Sequence, residues 1–230
     1  MDLIEKKNYS KKILFGNSFV NNLIKKSREK FFYIFKQHIN FNSNSKILDV
    51  GSVDLIYKYE NVFIHKYIYK KKISCLSNTS LKKLKKKYPM ISMYTGDGRK
   101  MQFKSNFFDM VHSNATIEHV GHFQNQTNFV SECFRVSKKY VFIQTPYRFF
   151  LFDFHTKLPI LHMLPKKLHR YLLKLIGLNF YSKESNLNLL SIKDFHAICS
   201  KLNIINYKIL KHKTWLMTSN IILIIRKNNY

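Results

Sequence analysis

At 230 residues, with 45% apolar side chains, the chain is long enough for one domain with a sizeable core. No apolar run approaches the roughly 20 residues of a membrane span, and Ile221–Ile225 is short enough to be a buried strand. Forty basic against 13 acidic residues leave a formal charge of +27, which fits either an anionic partner or a lysine-rich, glycine- and proline-poor coding bias.

The lysines are scattered apart from Lys70–Lys72 and Lys82–Lys87, as on a solvated face. Cys75, Cys133 and Cys199 lie far apart without a Cys-x-x-Cys pair, which argues against a thiolate metal site or a redox motif. The start of the chain has no charged-then-apolar leader, so a cytoplasmic, reducing setting is expected.

Residues 1–16 are polar and basic and read as an arm. A capping side chain at Asn17 or Ser18 opens an N-terminal helix (17–40), with an apolar stripe at Phe19, Leu23, Ile24, Phe31, Ile34 and Phe35. Ser45–Gly51 (SKILDVG) reads as a first strand and a turn, where Gly51 lets the backbone bend sharply and approach a ligand. Val62–Tyr69 alternates poorly and is either a crossover helix or an irregular segment. Lys71–Asn78 predicts the second strand, Leu81–Tyr88 a basic helix stopped by Pro89, and Met90–Thr95 the third strand.

The densest stretch follows. Gly96-Asp97-Gly98 is a turn, Phe108–Asn114 a strand with a polar end, Phe123–Val136 a helix with Phe129, Cys133 and Val136 inward, and Lys139–Pro146 a further strand. Strand, crossover helix and strand favour parallel neighbours, whose carboxyl ends carry Asp97, Ser113, Asn114 and Thr145. Asp109 reads as a structural tie. Residues 148–190 form an inserted segment, in which Lys166–Ile176 is amphipathic. That helix is expected either to cover a pocket as a lid or to lie on an anionic membrane surface, and the two are compatible. His155, His162 and His169 are spaced by seven, but Pro159 and Pro165 keep them off one helix. Ser191–Leu202 predicts a capped helix, and Ile204–Leu210 with Ser219–Arg226 an antiparallel pair. No repeat or linker divides the chain, so one domain is expected over 1–230.

Lys46-Ile-Leu-Asp-Val-Gly51, Gly96-Asp97, Met101-Gln102-Phe103, Phe108-Asp109 and Ser113–Val120 together resemble the class I S-adenosylmethionine-dependent methyltransferases, in their small-molecule branch. The resemblance covers about two thirds of the chain. It implies an α/β, Rossmann-like seven-stranded sheet, mostly parallel with one antiparallel strand, helices on both faces, and a helical insertion after the fifth strand. It implies S-adenosylmethionine as cofactor, in a site shaped by Asp49, Gly51, Ser52, Ser77, Asn78, Asp97, Gly98, Asn114 and Ala115. Asp97 would accept from the adenine amino group. His119 would be the catalytic base, since an imidazole titrates near neutrality. Tyr147 and His155 would face the acceptor from the lid side.

Two positions depart from the family pattern. Ser52-Val53-Asp54-Leu55 stands where two further glycines are usual, so the loop runs wider or the cofactor is bound less well or not at all. Ser77 or Asn78 replaces the acid that usually holds the ribose, leaving only neutral hydrogen bonds. The acceptor is expected to be a small or lipid-linked molecule, with peripheral membrane contact compatible. A nucleic acid is disfavoured, because the Asn/Asp-Pro-Pro-aromatic motif of many base-methylating enzymes is missing. The alternatives are a binding or scaffold protein that has lost catalysis, and an RNA-directed methyltransferase. No metal centre is expected, because His119 and His122 offer two nitrogens without a nearby third ligand.

Overall fold

The computed structural model describes residues 17–56, 61–214 and 216–227. The expected arm at 1–16 and the side chains of Phe19, Leu23 and Ile24 lie outside the described residues. Seven strands form one sheet: β1 Ile47–Val50, β2 Ile73–Ser77, β3 Ser92–Thr95, β4 Phe108–Asn114, β5 Ser137–Pro146, β6 Tyr207–Thr214 and β7 Met217–Arg226. Their order is β3-β2-β1-β4-β5-β7-β6. All neighbours run parallel except β7, which is antiparallel to both β5 and β6.

The helices are α1 Asn17–His38, α2 Val62–Lys66, α3 Lys82–Lys87, α4 Phe123–Val136, α5 Lys166–Leu175, α6 Asn179–Ser182 and α7 Ile192–Lys201, and a 3-10 turn covers Ile117–His119. Strand β4 and helix α4 fall on the expected residues. The ambiguous segment after β1 resolves into the five-residue α2, entered through Asn61 in a left-handed conformation (φ 49°). Strand β6 sits later than expected, at Tyr207–Thr214, while β7 starts two residues earlier, at Met217, and ends on the expected Arg226.

The sheet is covered on both faces because its strands alternate between two apolar sets. Leu48, Val111, Val141 and Leu223 pack with Phe129 and Cys133 of α4 and with Phe195 and Ile198 of α7. Ile47, Met110, Phe142 and Ile222 pack with Phe31 and Phe35 of α1, Phe63 of α2 and Leu84 of α3. Each fully buried aromatic or aliphatic side chain here stabilises the fold by about 1.5–3 kcal/mol. All three cysteines are buried and free. Asp109 ties the entry of β1, its Oδ2 accepting from the Lys46 amide at 2.9 Å.

The insertion leaves and rejoins the sheet at one point. Tyr147 bridges Leu190, and the Arg148 amide donates to the Leu190 carbonyl. Between them Leu173, Leu178, Phe180, Tyr181, Leu187 and Leu189 form a satellite core. Asn188 fastens this unit to the turn after β4: its amide donates to the Glu118 carbonyl at 2.7 Å and its Nδ2 to the Gly121 carbonyl at 2.9 Å. The following helix α7 begins with a reciprocal Ser191–Asp194 capping box.

Candidate active site

A cavity of about 800 Å³ opens at the carboxyl ends of β1 to β5, where open α/β sheets bind ligands. Every expected cofactor residue lines it: Asp49, Gly51, Ser52, Ser77, Asn78, Asp97, Gly98, Asn114 and Ala115. His119 and His155 line it too, so one cavity joins both sets. Tyr147 does not. Side chains alternate along β5, and Pro146 takes the cavity side while Tyr147 packs against the core cluster beneath α4 and α7. From the insertion, Phe154, Tyr181 and Asn186 reach the cavity instead.

The floor is a buried polar knot. Asp49 Oδ1 meets His112 Nδ1 at 2.5 Å, and Ser52 Oγ donates to Asp49 Oδ2 at 2.6 Å. His112 stacks on Phe63 at 4.0 Å between ring centroids. Gly51 takes φ +92°, and Ala115 is also left-handed at φ 51°. The departure from the glycine pattern has a structural counterpart in Asn61. Its Oδ1 accepts from the Val53 amide at 3.1 Å, and its Nδ2 donates to the Val53 and Leu55 carbonyls at 2.8 and 2.9 Å. The same loop is also tied to α3, with Asp54 Oδ1 accepting from the Leu84 amide at 2.9 Å.

Asp97 is gripped by Arg99, whose Nη2 lies 2.6 Å from Oδ2 and whose Nε reaches both oxygens at 3.0 Å. The Arg99 hydrogen bonds hold the Asp97 carboxyl below the usual carboxylate range, against the opposing effect of partial burial. At the ends of β4 and β5, Asn114 Oδ1 and Gln144 Oε1 are buried acceptors without a hydrogen-bond partner.

Around His119 and His155 lies an arrangement that sequence reasoning missed. Glu118 is wholly buried; its Oε2 accepts from Thr145 Oγ1 at 2.9 Å, and its Oε1 lies 3.6 Å from His155 Nε2. His155 Nδ1 meets Asp153 Oδ1 at 3.1 Å, and Asp153 is itself fixed by the His155 and Thr156 amides and by Thr156 Oγ1. His119 Nδ1 donates to the Asn186 carbonyl at 2.7 Å, and its ring stands edge-on to His155 at 4.8 Å. Burial alone would lower the His155 imidazole, but Asp153 and Glu118 outweigh it and raise its pKa to about 9. Burial pushes the Glu118 carboxyl up, yet the His155 and His119 imidazoles leave it below its ordinary value. Burial likewise pushes the Asp153 carboxyl up, but the His155 imidazole outweighs it and holds the group below its ordinary value. The local signal was Asp153-x-His155, a turn with the carboxylate one residue from the ring. Nothing in the sequence tied it to Glu118.

The amphipathic helix α5 does not cover the cavity as a lid would. Leu173 turns inward to the satellite core, whereas Leu168, Tyr171, Leu175 and Ile176 are exposed.

A seven-stranded sheet in this order, with a cavity at the strand ends and a polar turn after β4, defines a methyltransferase-type fold. The methyltransferase domain family matches residues 48–143. No curated protein matches the sequence. A SAM-dependent methyltransferase from Aquifex aeolicus is similar in structure, with a TM-score of 0.59 at 13% identity over 93% of this chain and 99% of that one. Another from Archaeoglobus fulgidus gives 0.54 at 14% identity, covering 92% and 100%. Haemonchus contortus phosphoethanolamine N-methyltransferase 2, solved with phosphomonomethylethanolamine and S-adenosylhomocysteine, gives 0.55 at 14% identity, covering 80% of this chain and 38% of that one. At such identities the structures establish the fold. With the matched domain over residues 48–143, they make the chain similar to the SAM-dependent methyltransferases in fold.

Proposed function

We propose that this chain moves a methyl group from S-adenosylmethionine to a small or lipid-linked acceptor. The observation that carries the reading is the single cavity, which joins the cofactor residues to His119 and His155. The residues present fit the cofactor. Asn114 Oδ1 and Gln144 Oε1 are buried acceptors in need of donors, which the methionine ammonium group offers. Asp97 would accept from the adenine amino group, and Ser77 and Asn78 would bond the ribose as neutral partners. The cofactor, when bound, supplies a methyl group already activated on a sulfonium. The chain's own work is to align the acceptor, exclude water and take up a proton. His119, oriented by its bond to the Asn186 carbonyl, is placed for that last step.

The outward face of α5 supports a lipid-linked acceptor. Leu168, Tyr171, Leu175 and Ile176 form an exposed apolar stripe. Lys167 and Lys174 are exposed beside it, on a chain of net charge +27. The stripe and its charge complement an anionic lipid surface. No helix among the described residues is long and apolar enough to cross a membrane.

Calorimetry with S-adenosylhomocysteine tests the first half. Micromolar binding is expected in the wild type, weakened about 10- to 100-fold in Asp97→Ala through loss of a charged hydrogen-bond partner. No heat at millimolar ligand would overturn the reading and favour a scaffold. Vesicle flotation tests the second half. Binding to phosphatidylglycerol vesicles but not to phosphatidylcholine vesicles, abolished in Leu168→Glu/Leu175→Glu, is expected. Equal flotation of wild type and variant would refute the docking face.

A further inference from the structure

We infer that Glu118, His119 and His155 form a binding site for one divalent first-row metal ion, with its remaining coordination positions open to the cavity. One ligand atom from each residue lies within 4.8 Å of the others. Two imidazoles and one carboxylate suit zinc, iron(II), cobalt(II) or manganese(II), and three protein ligands leave room for a small molecule.

Three further observations point to an ion rather than to a chance meeting of side chains. The first is Glu118 Oε1. It belongs to a wholly buried carboxylate, has no hydrogen-bond partner, and faces His155 at 3.6 Å, too far for a hydrogen bond. A buried carboxylate oxygen that meets an imidazole at ion-pair distance but makes no hydrogen bond is incompletely compensated inside a protein, and a metal cation answers that cost. The second is the outer ring of partners. His155 Nδ1 is held by Asp153, His119 Nδ1 by the Asn186 carbonyl, and Glu118 Oε2 by Thr145. Metal-binding histidines characteristically give their other ring nitrogen to a carboxylate or a carbonyl in this way. The third is the surplus of negative charge. Two buried carboxylates, Glu118 and Asp153, converge on a single imidazole.

The site also explains why the insertion is stitched so firmly to the turn after β4. Glu118 and His119 come from that turn, and His155 and the two histidines' outer partners Asp153 and Asn186 come from the insertion. Asn188 joins the two through the Glu118 and Gly121 carbonyls. His122, close in sequence, belongs to no such group among the described residues.

The consequence for the reaction rests on the methyltransferase reading. It makes His119 a ligand in place of a proton acceptor. A hydroxyl of the acceptor, bound to the ion, would ionise far more easily than in water. Its proton leaves to solvent. The oxygen lone pair forms the new bond to the methyl carbon, and the S–CH3 bond breaks with its electrons retained by sulfur, releasing S-adenosylhomocysteine. The substrate class is therefore an alcohol, enol or phenol, with vicinal oxygens able to chelate.

Chelator-treated full-length protein titrated with Co2+ is the direct test, because bound cobalt reports its ligands through visible absorption. Saturable bands at one equivalent are expected, with affinity at least tenfold weaker in Glu118→Gln and His119→Gln and unchanged in His122→Gln. Asp153→Asn should weaken binding about 10- to 100-fold. Should Glu118→Gln fail to fold by urea titration, His119→Gln, at a partly exposed side chain, carries the test. Binding without one-to-one saturation, or equal binding by wild type and His119→Gln, overturns the inference. S-adenosylhomocysteine calorimetry on the same samples separates the two readings. S-adenosylhomocysteine binding without cobalt binding sinks the metal site alone, and cobalt binding without S-adenosylhomocysteine binding keeps the site and sinks the methyltransferase reading.

Discussion

Gly51 sits where the first strand hands the chain to the cavity, and its replacement by alanine gives the sharpest test of how that turn is built. At φ +92° an L-residue is strained, by about 1–2 kcal/mol on the scale of left-handed backbone. The added Cβ would also lie 1.9 Å from Thr116 Oγ1, 2.7 Å from its Cγ2 and 2.8 Å from its Cβ. Rotating Thr116 about χ1 moves the first two atoms but not the third, so the backbone must shift, at about 1–3 kcal/mol. Gly51→Ala should therefore cost about 2–5 kcal/mol, measured as a shift of the urea midpoint at constant slope. In a Thr116→Gly background the contact disappears and only the backbone strain remains. The double-mutant cycle should then return a coupling of about 1–3 kcal/mol. A Gly51→Ala protein within 0.5 kcal/mol of wild type, or a cycle with no coupling, would refute this account of the turn.

Three further outcomes are expected. Asp109→Ala removes a charged acceptor from the Lys46 amide and should cost about 1.5–3 kcal/mol in urea unfolding, with S-adenosylhomocysteine affinity unchanged, because it lies at the end of the strand opposite the cavity. Burial, and then the nearby Lys30 charge, lower the pKa of His212 from 6.5 to about 4. The folded state thus binds fewer protons than the unfolded one in that window. Stability should fall as pH drops from 6.5 towards 4, by up to about 3 kcal/mol, and less in His212→Gln; a slope identical in the variant would contradict this. Asn61→Ala removes all three bonds that hold Val53 and Leu55, and should weaken S-adenosylhomocysteine binding several-fold by calorimetry; unchanged affinity would mean that the loop is ordered by something else.

What the sequence disclosed followed the range of the forces involved. Alternating apolar residues set both faces of β4, β5 and β7, because each strand is covered on both sides and a one-residue slip would turn its core side chains outward. The period of α4 was equally plain in Phe129, Cys133 and Val136. Helix α2 was not, since five residues after a left-handed Asn61 give no helical period to read. The residues expected at the cofactor site fall on one cavity because each ends a strand or turns after one. Tyr147 misled for a related reason. It follows the end of β5, but the pleat sends Pro146 to the cavity and Tyr147 to the core. Glu118 and His155 are 37 positions apart and meet only because the insertion folds back on the turn after β4, a placement made by Asn186 and Asn188 rather than by any local pattern.

The two departures from the family pattern have different physical consequences. Where the glycines are missing, Asn61 supplies hydrogen bonds that hold the Val53 amide and the Val53 and Leu55 carbonyls in place. The missing ribose acid leaves neutral groups at the end of β2. Ser77 and Thr79 bond weakly to each other at 3.3 Å, and Asn78 faces the cavity as a neutral group. Neutral partners hold a ribose with about half the strength of an ionised one. On the proposed reading, the cofactor's grip would fall more heavily on Asp97 and on the buried acceptors Asn114 Oδ1 and Gln144 Oε1. Replacing Asn78 by Asp should for that reason tighten S-adenosylhomocysteine binding rather than leave it unchanged, and an unchanged constant would show that the ribose hydroxyls do not meet this side chain.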